Sequence, residues 1–556
     1  MTAGFSRKIV HALYLGLSLL FASRFFPLTH PTSHAFADGD PALAAWIIQW
    51  ESHALVTDPL RLYAGNTFYP YDRSIVLSDP FLTLAVLNVP VRAFTANPWV
   101  GYNLLLVLSF YLSAVWARAL ARAITKSDAA GLWGGIFFGF LFYRVHQFGH
   151  LQIMSCQWIP AAILCLMKVW QQPRVRAALL LAVVFAAQAL VSWYLAVILS
   201  VILAIVLLTR PAGEIFKSRF VGYYALSAIV ALAIVLPFAL PYRAAFNDTS
   251  LAMRSRAVDV VGDAVRIRDY VTPPDATLAG RFVPDNPYAV WHENTLYIGM
   301  VPLALAALAI GAAVRRRESI DPRWIAAGIL MVVAGYVLAL GFVSPEWGIR
   351  LPLWYAARAV PALSALRATQ RFSIVVYVGV LLLSSIGVAH LMKGRSRRWQ
   401  TGVTAALVAA FLVEVFPVTL PFGTGYRYAP SAPDRFIAAY QQTRATPLVV
   451  LHLPINYFVE SYATDEATYM VDSTWHWARI LNGFSGAEPN GFMDRMRVLN
   501  TLPSDAALQM VRDLGVEVIA VHAREPNRAA LREFFAQQSW SRIVPLPNEE
   551  FVVLLK

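Results

Sequence analysis

The sequence predicts an α-helical polytopic membrane protein with a small α/β domain at its C-terminal end. Three observations carry that reading. Of 556 residues, 58% are hydrophobic and only 14% are charged. Apolar runs of about 18 residues or more, long enough to cross a bilayer, recur from the N-terminus to near Phe422. Beyond Phe422 the charge density rises, and short strand-like runs replace the long apolar ones. The net charge of +13 does not indicate nucleic acid, because the basic residues gather in short turns between apolar runs. That distribution is the positive-inside signal.

The first span is expected over Ile9 to Phe26, with Arg7 and Lys8 holding the N-terminus in the cytoplasm. Ala35-Phe36-Ala37 resembles a signal-peptide cleavage site, but the spacer from Pro27 to His34 is long for one, so an uncleaved helix is expected. Residues 27–79 then form a long outer loop. Within it, Leu43, Trp46, Ile47, Trp50 and Leu55 recur at helical spacing. They predict a helix from Pro41 to Val56 lying in the membrane interface, tryptophans at headgroup level.

The next apolar stretch, Pro80 to Ala96, carries Asn88, Pro90 and Arg92. If it crosses the membrane, Arg118, Arg122 and Lys126 fall outside. If it is re-entrant or interfacial, they fall inside, together with Lys168/Arg174/Arg176, Arg210/Lys217/Arg219, Arg315-Arg316-Arg317 and Lys393/Arg395/Arg397/Arg398. The second arrangement satisfies the charge rule at every cluster. The later spans are then Trp99–Ala121, Ala129–Tyr143, Leu151–Val169, Arg176–Val191, Leu195–Leu208, Phe220–Leu240, Thr295–Val314, Trp324–Phe342, Phe372–Leu391 and Gly402–Leu420, giving about 11 transmembrane helices. The domain division expected is 1–420 for the transmembrane part, with interfacial helices in loop 27–96, and 421–556 for an extracytoplasmic α/β domain. In that domain Leu448–Leu453, Glu517–His522 and Phe551–Leu555 read as buried strands. Pro433–Gln442, Ser504–Leu514 and Asn527–Gln538 read as helices, with Ser504 as an N-cap and Gly515 as a C-cap. Cys156 and Cys165, nine residues apart on one helix, lie about 13 Å apart along its axis and cannot bridge.

This topology collects polar residues on the outer face. Asp38 and Asp40 follow the first span. Arg144, His146 and His150 occupy one short turn, and Ser192-Trp193-Tyr194 another. A long loop holds Arg254, Arg256, Arg266, Arg268 and Asp269 and ends at Glu293, where a span begins. A third loop holds Trp354, Arg358 and Arg367, with Arg371 leading into the next span. Each also has a plainer reading. Asp40 before Pro41 can cap a helix. The histidines can be interfacial hydrogen-bonders. The arginines can snorkel to headgroups, and Glu293 suits a helix start. Glu414 lies inside the last span and is left out of the site.

The chain resembles the GT-C superfamily of polytopic membrane glycosyltransferases, and within it bacterial GT-C-like membrane proteins. The resemblance runs through ADGDPALAAWIIQW, through Phe137 to Pro160, through ENTLYIGMVPL, through PALSALRATQRF and through STWHWARILNGFSG. It covers nearly the whole chain. The first loop carries Asp-Gly-Asp where protein mannosyltransferases carry an Asp-Glu pair. The resemblance implies transfer of a sugar from a polyprenyl-phosphate donor, hexosyl or pentosyl, to an extracytoplasmic acceptor: an envelope glycan, a lipid or a protein. Asp40, with Asp38 positioning the acceptor, is then the base that takes the acceptor's proton. Arg367 and Arg371, then Arg144, are candidates for the leaving phosphate, which arginine matches through paired hydrogen bonds. His146, His150 and Glu293 complete the candidate set. Basic residues 254–268 would steer anionic headgroups, and Trp193, Tyr194 and Trp291 would stack on sugar.

Two other functions fit the same sequence. One is a transporter or flippase of lipid-linked saccharides, which usually shows repeats and midplane ionisable groups. The other is a non-catalytic scaffold whose outer domain binds glycans, with Ser473–Gly486 as its docking loop. No cofactor is expected. Asp38, Asp40 and His146 could bind a divalent metal, but no ligand spacing demands it. Expected partners are a polyprenyl-phosphate-linked sugar, membrane lipids and a glycan, lipid or protein acceptor, without nucleic acid. The expected location is the inner (plasma) membrane.

Overall fold

The computed structural model describes residues 6–35, 37–147, 149–250, 265–284, 286, 294–315, 320–344, 346–418, 429–457 and 464–556. Glu293, Trp291, Arg254, Arg256, Arg316, Arg317 and Phe36 lie outside the described residues. The chain divides into two compact units. The first comprises residues 1–24, 106–238 and 253–422; the second comprises 25–105, 239–252 and 423–556.

The first unit is helical, and its described helices make it a multi-pass membrane body. Among the described residues, five helices of the chain are long and apolar enough to cross a bilayer: Pro98–Thr125, Leu151–Gln171, Arg219–Ala245, Pro322–Ala339 and Thr369–Met392. Shorter apolar helices include Val175–Ala189, Trp193–Leu208 and Met300–Val314. Helix Ser373–Met392 is the centre of the unit. The apolar window of Thr369–Met392, which contains it, is 94% buried, against 11% for Arg219–Ala245. Helix Ser373–Met392 packs on Pro322–Ala339, Met300–Val314 and Asp128–Phe140. Small residues allow that approach: a Cβ on Gly387 would stand 2.0 Å from the Leu305 carbonyl oxygen.

The second unit joins the first outer loop to the C-terminal segment. Helix Gly39–Thr57 packs on helix Leu82–Arg92 and on helix Thr464–Ser473. The sequence reading lays Gly39–Thr57 in the interface with its tryptophans at headgroup level. The structure corrects this, because Trp46 is 1% exposed and its indole N–H donates to Asn66 Oδ1 at 3.0 Å. The helix is a core element of this unit. Leu82–Arg92 has 11 residues. It rises only about 16 Å, too short to cross a membrane.

The C-terminal sheet has five strands: β1 (Val449–Leu453), β2 (Arg479–Ile480), β3 (Val518–Val521), β4 (Ser541–Pro545) and β5 (Phe551–Leu555). Their order is β2-β1-β3-β5-β4. β1 runs parallel to β2 and β3, with Leu451 opposite Ile519. β5 runs antiparallel to both β3 and β4. Every residue of β1 and β3 is buried, which explains their continuous apolar sequence. Ser504 caps its helix by accepting from the Ala507 N–H. The expected docking loop Ser473–Gly486 is instead largely interior: Ser473, Ile480, Leu481 and Asn482 are each 0% exposed. Asn66 of the first loop donates to Ser473 Oγ and to the Ala478 carbonyl at 2.9 and 2.8 Å, stitching the segments of this unit together.

Candidate active site

In the second unit, Asp38 occupies the N-cap position of helix Gly39–Thr57, and its side chain makes no capping bond. Gly39 follows at φ +52°, a conformation that favours glycine. The Asp38 carboxylate is therefore not spent on capping the helix. The plainer reading of Asp40 as the cap is corrected, since Asp40 lies inside the first turn. Two groups from the C-terminal segment act on Asp38. Partial burial raises its pKa above the ordinary carboxylate value; a hydrogen bond from its own backbone N–H and then the Arg524 charge oppose that, and Asp465 adds to it. Arg524 Nη1 is itself 2.9 Å from Asp465 Oδ1.

Asp40 is half-buried and has a different neighbour, the buried Tyr102, on whose hydroxyl its charge acts. Tyr102 belongs to an aromatic nest. The His34 ring stacks on Trp99 at 5.2 Å and meets Tyr102 edge-on at 5.0 Å, while its Nδ1 lies 2.8 Å from Asn103 Oδ1. Two carboxylates two residues apart thus address separate surroundings, one charged and one aromatic.

In the first unit, helix Asp128–Phe140 stops at Leu141, whose ψ of 148° is extended. The chain restarts as the short helices Phe142–His146 and Leu151–Met154. Such breaks leave carbonyls without helical partners. Arg144 supplies them: Nη1 donates to the Gly139 carbonyl at 2.5 Å, and Nη2 donates to the Met154 carbonyl at 2.7 Å and to Ser109 Oγ at 3.2 Å. Its guanidinium also lies 4.8 Å from the Phe110 ring centroid. At 2% exposure, Arg144 is a clamp on its own chain.

That clamp presents His146 and His150. Burial holds the His150 pKa well below the ordinary value, and the neighbouring Arg371 and His146 act in the same direction. His150 is therefore a neutral imidazole beside a guanidinium. Arg371 is buried and lies 4.8 Å over the Tyr194 ring. Tyr194 Oη accepts the Ala368 N–H at 3.1 Å, fixing the segment that carries Arg371. One Tyr194 face expected to stack on sugar thus carries the guanidinium. Arg367, four residues earlier, is exposed.

The structure therefore groups His146, His150 and Arg371, with Arg367 exposed nearby in sequence. Asp38 and Asp40 belong to the other compact unit. Chemically, the first set offers a cation and imidazoles suited to a phosphate, and the second offers carboxylates suited to proton removal. Sequence reading missed Arg524, Asp465 and Tyr102 as neighbours of the carboxylates, because only the fold joins them to the first loop.

Over 100% of its length this chain resembles arabinofuranosyltransferase AftD from Mycobacteria, with a TM-score of 0.60 at 13% identity, spanning 42% of that protein. It resembles the oligosaccharyltransferase of Archaeoglobus fulgidus with a TM-score of 0.52 at 11% identity, covering 93% of this chain and 70% of that one. At this identity the likeness shows a shared fold: the chain folds as these two transferases do. The chain spans about two fifths of the length of the mycobacterial enzyme. No curated protein sequence matches it. A family model, the domain of unknown function DUF6311, matches residues 18–416. That match covers well over half of the sequence, and the chain belongs to the DUF6311 family.

Proposed function

We propose that the protein is a membrane glycosyltransferase that moves a sugar from a polyprenyl-phosphate donor to an acceptor hydroxyl on the extracytoplasmic side of the inner membrane. One observation carries the reading furthest. Asp38 of the first loop feels the charges of Arg524 and Asp465 of the C-terminal segment, and all three belong to one compact unit. That one compact unit holds both the first loop and the C-terminal segment supports placing the two on the same side of the membrane.

In the reaction proposed, the acceptor oxygen attacks the anomeric carbon. Its proton passes to Asp40, while Asp38 orients the acceptor. The bond from the anomeric carbon to the phosphate oxygen breaks, and polyprenyl phosphate leaves with its negative charge. Arg371 and Arg367 remain the residues proposed for the leaving phosphate, and His146 and His150 those proposed for the phosphate or the sugar. Arg144 takes no part in binding and keeps the histidine turn in shape. Glu293 remains a member of the proposed set.

The test is direct. Purified protein in liposomes is given a panel of radiolabelled polyprenyl-phosphate sugars together with envelope extracts. Labelled, non-lipid product is expected with one donor. Movement of intact donor across the bilayer, with no product from any donor, would replace this reading with the flippase one.

A further inference from the structure

We propose that Asp434, His452 and His476 form a structural site for a divalent transition-metal cation of the zinc class, inside the C-terminal domain. The three come from separate elements. Asp434 lies in the first turn of helix Ala432–Gln441, His452 in β1, and His476 in the turn after helix Thr464–Ser473. One ligand atom from each falls within 4.8 Å of the other two. The Asp434 Oδ1 to His476 Nε2 distance is 3.2 Å, and Oδ1 to His452 Nε2 is 3.9 Å. A tetrahedral zinc ion with bonds of about 2.0–2.1 Å needs ligand edges of about 3.3 Å. The two edges from Asp434 stand at 3.2 and 3.9 Å, and no edge exceeds 4.8 Å, so the two histidines must draw together to close on a cation.

The surroundings make a cation more than a matter of spacing. The Asp434 and His452 side chains are 0% exposed, as is that of His476. Among the described residues no lysine or arginine pairs with the Asp434 carboxylate, whose Oδ2 accepts the Ser431 hydroxyl proton. His452 Nε2 is a fully buried nitrogen without a hydrogen-bond partner, and it faces Asp434 Oδ1. A buried polar atom left so is costly.

Proton placement says what that nitrogen is for. His452 Nδ1 lies 3.0 Å from His522 Nε2, and His522 Nδ1 lies 3.7 Å from Glu550 Oε1. With the proton on His452 Nδ1, each N–H points along the series toward the Glu550 carboxylate. His452 Nε2 is then left as a bare lone pair opposite a carboxylate oxygen. This is the outer-shell order of a metal-bound histidine, which donates its other N–H to an acceptor backed by a carboxylate. Tyr469 stacks on both rings, at 4.7 Å from His452 and 4.8 Å from His522, and fixes their orientation.

His476 is the member that must adjust. Its Nδ1 accepts the Ala478 N–H at 3.0 Å, so its proton sits on Nε2 and is donated to Asp434. To ligate, His476 moves that proton to Nδ1 and exchanges the Ala478 bond for the cation. His452 and Asp434 ligate as they stand. The cation would tie the helix, β1 and the turn together.

The experiment uses the full chain, purified without a histidine tag, stripped with chelator and then given zinc alone. Metal content by mass spectrometry, thermal unfolding and X-ray absorption at the zinc edge are read together. Expected are one tightly held zinc per chain, an unfolding midpoint several degrees higher with zinc, and imidazole scattering around the metal. His452→Gln and Asp434→Asn should each lose the bound zinc, while Asp38→Asn and Asp40→Asn keep it. The proposal is overturned if the folded wild-type chain takes up no stoichiometric zinc, or if bound zinc survives His452→Gln and Asp434→Asn. Neither result bears on sugar transfer, so the two proposals fail separately.

Discussion

Arg144 Nη2 donates to the Met154 carbonyl oxygen at 2.7 Å, across the turn that carries His146 and His150. With the companion bond to Gly139, this arginine holds together two ends of a broken helix. Removing it strands buried carbonyls, each charge-assisted bond being worth about 1.5–3 kcal/mol. Arg144→Gln is therefore expected to destabilise the protein by roughly 3 kcal/mol or more, seen as a lower melting midpoint in detergent. A variant of unchanged midpoint that has lost only donor affinity would return Arg144 to the phosphate site.

Tyr194 accepts the Ala368 N–H and carries Arg371 over its ring. Tyr194→Phe keeps the ring and loses the hydrogen bond. The donor KM is expected to rise a few-fold with kcat little changed. Arg371→Lys keeps a charge but loses the planar fork and the stacked contact, and a larger loss, about tenfold or more in kcat/KM, is expected. Equal effects of the two variants would show that Arg371 acts only in packing.

Much of this architecture was legible locally. The strands β1, β3 and β5 are continuous apolar runs, and Ser504 sits where a cap is needed. What stayed hidden depends on contacts between distant segments. Helix Thr464–Ser473, with the sequence TDEATYMVDS, is polar because it buries Glu466 against Asn482 and Asn456. The two-residue β2 is too short for any periodicity. Trp46 looks like an interfacial anchor until Asn66 supplies its partner inside the protein. The cluster of Asp434, His452 and His476 has no ligand spacing in the sequence. Its one local sign was a histidine in the apolar run VVLHL.

The buried Glu466 gives the domain a pH dependence. Burial pushes its pKa up to about 8, against hydrogen bonds from Asn482 and the Asn456 N–H. The folded value lies above the unfolded one, so the folded state holds the proton more tightly. The resulting stability is fully present below the ordinary glutamate pKa of 4.5 and is lost as pH rises through about 8. The melting midpoint should fall between about pH 4.5 and 8 and level off above that. Glu466→Gln should flatten that fall while costing about 1–2 kcal/mol at pH 6, because an amide NH2 cannot accept from Asn482. An equal fall in both proteins would assign it to other groups.

Asp38 and Asp40 can be told apart by what surrounds them. Asp38 makes no capping bond and stands near Arg524, whereas Asp40 acts on Tyr102 in an aromatic nest. Loss of a general base costs about 10²–10⁴ in rate. Asp40→Asn is expected to fall in that range in kcat without a change in melting midpoint. Asp38→Asn should mainly raise the acceptor KM, with a smaller fall in kcat. Arg524→Gln removes the charge that opposes the rise in Asp38's pKa. It should therefore move the acidic limb of the acceptor kcat/KM profile toward higher pH. A shift of that limb, together with a kcat collapse in Asp38→Asn and near-normal turnover in Asp40→Asn, would transfer the base assignment to Asp38.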